Sequence, residues 1–176
     1  MDEIVTRAMQ KWPNVPHCFD WLGLDGRGSW YMRDDLVQKK GGFLKAKGER
    51  LTHQKLIDFI GRNYQADQQG RWYFQNGPQR VFVELECTPW VWRVRRSVKG
   101  FEISTHTGIL SPFKSAYQDE AGLLYFETQL GVGLVHSMDM WPALELLEHA
   151  HIEPEHLQAK DIPSQFGFVR SPANER

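Results

Sequence analysis

Cysteine is scarce: the 176 residues hold two, Cys18 and Cys87, with no CxxC or other close ligand spacing. That argues against a disulfide framework or a zinc knuckle and leaves two reduced, structural thiols. Long apolar runs are missing too. The longest stretches without Asp, Glu, Lys or Arg are 11 residues, Ile103 to Phe113 and Thr128 to Met138, against roughly 18 for a membrane helix. The opening Met1-Asp2-Glu3 has neither the basic nor the apolar region of a secretory signal. A cytoplasmic protein with no membrane partner is the expectation. Catalytic signatures are also lacking: no GxSxG, Walker A loop, GxGxxG or HExxH occurs, and Gly26-Arg27-Gly28 and Gly131-Val132-Gly133 are short fragments of such patterns.

What is present describes an ordinary globular chain, with 41% hydrophobic, 12% aromatic and 24% charged residues. A chain of this length hides about 70% of its unfolded surface and needs no metal or disulfide to build a core. The net charge of −1 conceals a division. Residues 27–62 carry nine basic and four acidic side chains, residues 71–100 six and two, and residues 101–161 two and ten. Such asymmetry marks either an anion-binding half or two lobes whose opposite charges attract each other.

Along the chain, Ile4, Val5, Ala8, Met9 and Trp12 recur at helical spacing, predicting an amphipathic helix that Pro13 and Pro16 end. Thr52 is placed to cap a helix near 52–62 carrying Leu56, Ile57, Phe59 and Ile60. Val81, Val83, Leu85 and Cys87 alternate with Glu84 and Glu86, and Trp90, Trp92 and Val94 alternate with Arg93 and Arg95, which reads as half-buried strands. Asp139 is a candidate cap for a helix near 140–150, with Pro142 in its first turn. These elements predict an α+β fold, mainly antiparallel β in two related lobes, each with a packed helix, plus the N-terminal helix. The expected divisions are 1–24 for that helix and its connector, 25–98 for a basic lobe, 99–158 for an acidic lobe, and 159–176 for a C-terminal tail, polar and loose from Arg170.

One motif recurs. Asp67-x-x-Gly70-x-x-Tyr73-Phe74 returns 52 residues later as Asp119-x-x-Gly122-x-x-Tyr125-Phe126, with a looser copy at Asp25-x-x-Gly28-x-x-Tyr31. Asp and Gly suit a tight turn and the aromatic pair starts a strand, so the motif reads as structural. Together with Leu51-Thr52-His53 through Phe59, Val83-x-Leu85-Glu86-x-x-Pro89-Trp90-Val91, and Gly131-x-Gly133-Leu134 followed by Pro142, it resembles the bacterial domain-of-unknown-function family numbered 1285. The likeness covers roughly residues 40–150 and departs from the family where Lys40 precedes Gly41. It implies two lobes built from variations of one strand-and-helix motif and a ligand-binding or signalling role, and it implies no catalytic residues.

The candidate ligand residues are Lys39, Lys40 and Lys45 in a Gly-rich basic loop, Trp72, Trp90 and Trp92 as aromatic surfaces, and Arg93 and Arg95 beside them. His149, His151 and His156 form the one histidine cluster, at spacing unsuited to converging on a helix. No catalytic residue, metal site or cofactor is expected. The sequence thus points to a non-catalytic binding or regulatory protein taking a small anionic ligand at a cleft between the lobes, or a protein partner. The alternative is a nucleic-acid-associated protein that uses the basic lobe.

Overall fold

A computed structural model describes residues 1–98 and 100–175. The chain separates into two compact units, the first comprising residues 1–25, 29–86 and 167–176 and the second residues 26–28 and 87–166. The boundary therefore falls at Glu86/Cys87 rather than near residue 98, because the Arg-rich strand after Pro89 pairs wholly within the second unit.

In the first unit, helix α1 (Glu3–Lys11) is followed by β1 (Cys18–Leu24), β2 (Trp30–Met32), α2 (Asp35–Gln38), β3 (Glu49–Arg50), α3 (Gln54–Arg62), β4 (Tyr64–Ala66), β5 (Trp72–Asn76) and β6 (Gln79–Leu85). The strands form a sheet in the order β3-β2-β1-β6-β5-β4, antiparallel except for the central β1/β6 pair. Helix α3 covers one face, with Phe59 edge-on to Phe74 at 5.4 Å and Ile60 buried. Its cap is His53 rather than Thr52, the imidazole accepting from the Leu56 amide at 3.3 Å. Helix α1 is tied to the end of α3 by a forked ion pair, Arg62 to Asp2, at 3.1 Å.

The second unit holds β7 (Trp90–Ser97), β8 (Gly100–Thr105), β9 (Phe113–Gln118), β10 (Leu124–Thr128), β11 (Gly131–Val135), α4 (Met140–Ala150), β12 (Glu155–His156) and α5 (Ile162–Phe166). Its sheet runs β12-β9-β10-β11-β7-β8, with β7/β11 and β9/β12 parallel. The expected α+β architecture of two β-rich lobes with helices and an N-terminal helix is what the chain adopts, with mixed rather than purely antiparallel sheets. Five strands correspond in order: β2-β1-β6-β5-β4 in one sheet and β8-β7-β11-β10-β9 in the other, each with a parallel pair in its second and third places.

The Asp-Gly turns carry the same bonds. At Asp25, Asp67 and Asp119 the carboxylate accepts from the amide four residues on, at 2.8, 3.0 and 2.8 Å. In each, the Asp amide donates back to that residue's carbonyl. The third copy is thus a turn of the same kind. Thr105 builds another with its hydroxyl, accepting from the Ile109 amide at 3.0 Å. The glycine three residues on takes φ between +75° and +88° in all four, a region an L side chain rarely adopts.

The segment from Arg170, expected to be loose, is built in, as is the chain leading to it. Ile162 and Phe168 are buried, the Leu85 amide donates to the Arg170 carbonyl, and buried Glu84 accepts from Ser171 Oγ and the Ala173 amide. Burial of those two apolar groups and satisfaction of a buried carboxylate hold it.

Candidate functional site

The Asp67 turn and the β5–β6 hairpin assemble one face of the first sheet. Asp67 accepts from the Gln69 and Arg71 amides and pairs with the Arg71 guanidinium at 2.8 Å. Burial pushes its carboxyl's pKa up, but the bonds from Arg71 and the amides outweigh that, and the net shift is downward. Register places Tyr73 opposite Phe82 and Gln75 opposite Arg80, so these four side chains share a face. Phe82, fully buried, is the floor: Phe19 stacks on it at 4.5 Å, and His17 and Tyr73 meet it at 5.7 Å. The Arg71 guanidinium lies over the same ring at 4.8 Å.

Arg80 stacks over the Tyr73 ring at 4.6 Å and has no carboxylate partner among the described residues. It borders two cavities. One, of about 490 Å³, is lined by Asp67, Gln68, Gln69, Arg71, Tyr73 and Arg80. The other, of about 320 Å³, opens between the end of α1 and the β5–β6 turn. Two cations on an aromatic bed, one neutralised and one not, favour an anion beside Arg80. Burial raises the Tyr73 pKa above its ordinary value, which keeps the phenol a neutral donor or acceptor.

The profile of the family DUF2944, described as "Protein of unknown function (DUF2946)", matches residues 1–173. The chain belongs to this family. A crystal structure of a DUF1285 family protein from Silicibacter pomeroyi is similar in fold, with a TM-score of 0.51 and 15% identity over 82% of this chain and 84% of that one. The resemblance drawn from the sequence is therefore supported at the level of fold. No curated protein matches the chain.

In this family member the residues singled out from sequence are divided between the units: Lys39, Lys40, Lys45 and Trp72 in the first, Trp90, Trp92, Arg93 and Arg95 in the second. The three lysines are exposed, and Trp72 is half-buried against Tyr64 at 4.7 Å. Trp90 and Trp92 are core, at 5% and 0% exposure, their indoles donating to the Leu130 and Phe126 carbonyls at 2.8 Å. This corrects the expected stripe of stacking surfaces: alternation along β7 turns tryptophan inward and arginine outward. Arg93 and Arg95 do meet, on a cavity of about 430 Å³ with Glu102, Ser104 and His106. Arg95 is exposed opposite Glu102. The charge division also shrinks once the folded units are counted, to 14 basic and 12 acidic residues in the first and seven and ten in the second.

Arg93 is committed elsewhere. Asp139 does not cap α4 with its side chain; the carboxylate accepts from Arg93 at 2.5 Å and from the Val94 amide at 3.2 Å. Arg96 forks onto Glu145 of the same helix at 2.8 Å. The basic strand and acidic helix therefore neutralise each other inside one unit. Burial raises the Asp139 pKa, but Arg93 and the Val94 amide outweigh it, and the net shift is downward. A folded-state pKa below the unfolded value adds stability that is present above the unfolded pKa, near 3.9, and is lost as pH falls through the folded value. Urea denaturation is expected to show stability declining below about pH 4, and Asp139→Asn to flatten part of that decline. An unchanged acid limb in the variant would remove Asp139 as a contributor.

Proposed function

We propose that this protein binds a small anionic ligand at Arg80 and uses that binding for regulation rather than catalysis. The observation that carries the reading is Arg80 itself: a guanidinium held over Tyr73 at 4.6 Å, without a carboxylate partner among the described residues, bordering two cavities in one sheet face. A preorganised cation on an aromatic ring has already lost much of its side-chain freedom, so an arriving carboxylate or phosphate meets a donor fork that needs little reordering. Arg71, tied to Asp67, adds no net charge beside it and leaves Arg80 as the unpaired cation of this face among the described residues. Among the described residues, no three His, Cys, Asp or Glu side chains converge as a metal-binding group. The groups facing the larger cavity are donors and acceptors that suit recognition.

The test is a thermal-shift titration with inorganic phosphate, benzoate and uridine monophosphate at low and high salt. A ligand at a hundredfold excess over its Kd stabilises the fold by about 2.7 kcal/mol. Arg80→Met, which keeps the stem packed on Tyr73 and removes the charge, is expected to abolish the shift. A shift that persists in Arg80→Met, or one produced only by polyanionic nucleic acid and lost with salt, would overturn the proposal.

A further inference from the structure

The smaller cavity beside Arg80 contains a group that the anion site does not use. Gln75 sits on β5 at 1% exposure; its Nε2 donates to the Gly77 carbonyl at 2.9 Å, and its Oε1 has no hydrogen-bond partner among the described residues. An amide oxygen removed from water without a donor is costly, and a leucine or methionine of similar volume would avoid that cost. The sequence nevertheless places a glutamine there, against a cavity of about 320 Å³ whose walls include the flat surfaces of Trp12, Pro13 and Pro78 and whose polar groups are His17, Gln75 and Arg80. His17 is exposed and meets Phe82 edge-on at 5.7 Å, and Trp12 is half exposed.

Resting on the anion site above, we infer that this cavity is its second subsite, receiving a planar ring whose N–H or O–H donates to Gln75 Oε1 while the ligand's acid group lies on Arg80. Three features set that chemistry. The walls include Trp12, Pro13 and Pro78, whose flat side chains suit a ring edge or face. The buried acceptor requires a donor, because an acceptor opposite it would leave both desolvated. Arg80 borders both cavities, so one molecule reaches Gln75 with its ring and Arg80 with its anion without crossing the sheet. The volume fits one or two fused rings. The ligand class is a planar carboxylate or phosphate ester that carries a ring donor, represented by hydroxylated aromatic acids or by nucleoside monophosphates.

Paired ligands that differ only in the donor test this, by calorimetry on the full chain. 4-Hydroxybenzoate is compared with 4-methoxybenzoate, and uridine monophosphate with its N3-methyl derivative; the pair that separates identifies the source of the ring. The donor-bearing member is expected to bind at least about tenfold more tightly. Gln75→Leu is expected to bring the two members within about twofold while leaving the affinity for inorganic phosphate unchanged, since the arginine is untouched. Gln75→Met, which keeps the length, is the companion variant should leucine, which cannot donate to the Gly77 carbonyl, disturb the hairpin. Equal binding of the members of both pairs to the parent, or a tenfold difference that survives in both Gln75 variants, would overturn the subsite. Anions that bind through Arg80 with no donor preference would remove the subsite and keep the anion site. Failure of all probes, phosphate included, would remove both.

Discussion

Arg33→Ala is expected to destabilise the first unit by about 3 kcal/mol, the lower end of the range for removing one partner of a buried ion pair. Arg33 is fully buried, and its guanidinium pairs with the Asp20 carboxylate, donates to the Ala46 carbonyl at 3.0 Å and to the Gly41 carbonyl at 2.5 Å. Alanine leaves that carboxylate and those carbonyls without their donor. The Asp20 side chain keeps 22% exposure and is partly rehydrated, which places the expectation at the lower end. Asp20 also sits at φ +67°, a strained conformation for a residue with a Cβ, and the pair with Arg33 helps hold it there. The consequence is local as well as global. The loop that bears Lys39, Lys40 and Lys45 wraps its Gly41 and Ala46 carbonyls around this one guanidinium, so trypsin is expected to cut there faster in the variant than in the parent. Urea denaturation and limited proteolysis read the two effects; a loss below about 1 kcal/mol with unchanged cutting would show that the loop does not depend on Arg33.

That loop shows where reading the sequence succeeded and where it stopped. Its charge and glycines were visible, but nothing local to residues 39–50 shows that an arginine at position 33 organises it from beneath. Helices α1 and α3 were legible because apolar residues at helical spacing mark a buried stripe whatever packs on it, and α4 because Pro142 suits a helix's first turn. The Asp-Gly turns were legible because their bonds are made within five residues. A turn at Thr107-Gly108 was legible too, but its kinship to these was not, since a hydroxyl of Thr105 replaces the carboxylate and the aspartate pattern is lost. The division near residue 98 failed for a different reason: whether β7 pairs with β6 or with β8 and β11 depends on long-range pairing, and β7 goes with the latter two.

The site was less legible than the fold. The longest like-charged runs drew attention to the lysine loop and to Arg93 and Arg95, while Arg80 stands alone in sequence. Its signal was the turn Asn76-Gly77-Pro78: once that turn closes a hairpin, Gln75 faces Arg80 and Tyr73 faces Phe82. Trp90 and Trp92 were equally open to a surface or a core reading, because a period of two fixes which residues share a face and leaves open which face is buried.

Gly133→Ala is expected to cost about 3–5 kcal/mol, combining overpacking with a buried indole bond that can no longer be made. A Cβ on Gly133 would sit 2.5 Å from Trp92 Nε1 and 2.7 Å from the Trp90 carbonyl oxygen. Neither neighbour can yield cheaply. The indole is fully buried and donates to the Phe126 carbonyl at 2.8 Å, and the carbonyl belongs to the strand that pairs with β11. Gly131, two residues earlier, gives the control. Its φ of +109° disfavours a side chain, yet a Cβ there meets nothing within 4 Å, so Gly131→Ala is expected to cost only the backbone strain, about 1–3 kcal/mol. The two glycines of one Gly-x-Gly fragment thus serve different needs, a turn dihedral at 131 and space for a tryptophan at 133. Combining Gly133→Ala with Trp92→Phe removes the indole nitrogen the new methyl would strike, and the double variant is expected to be less destabilised than the sum of the single changes. Strict additivity in urea denaturation, or equal costs at 131 and 133, would mean that close approach to Trp92 is not what keeps position 133 glycine.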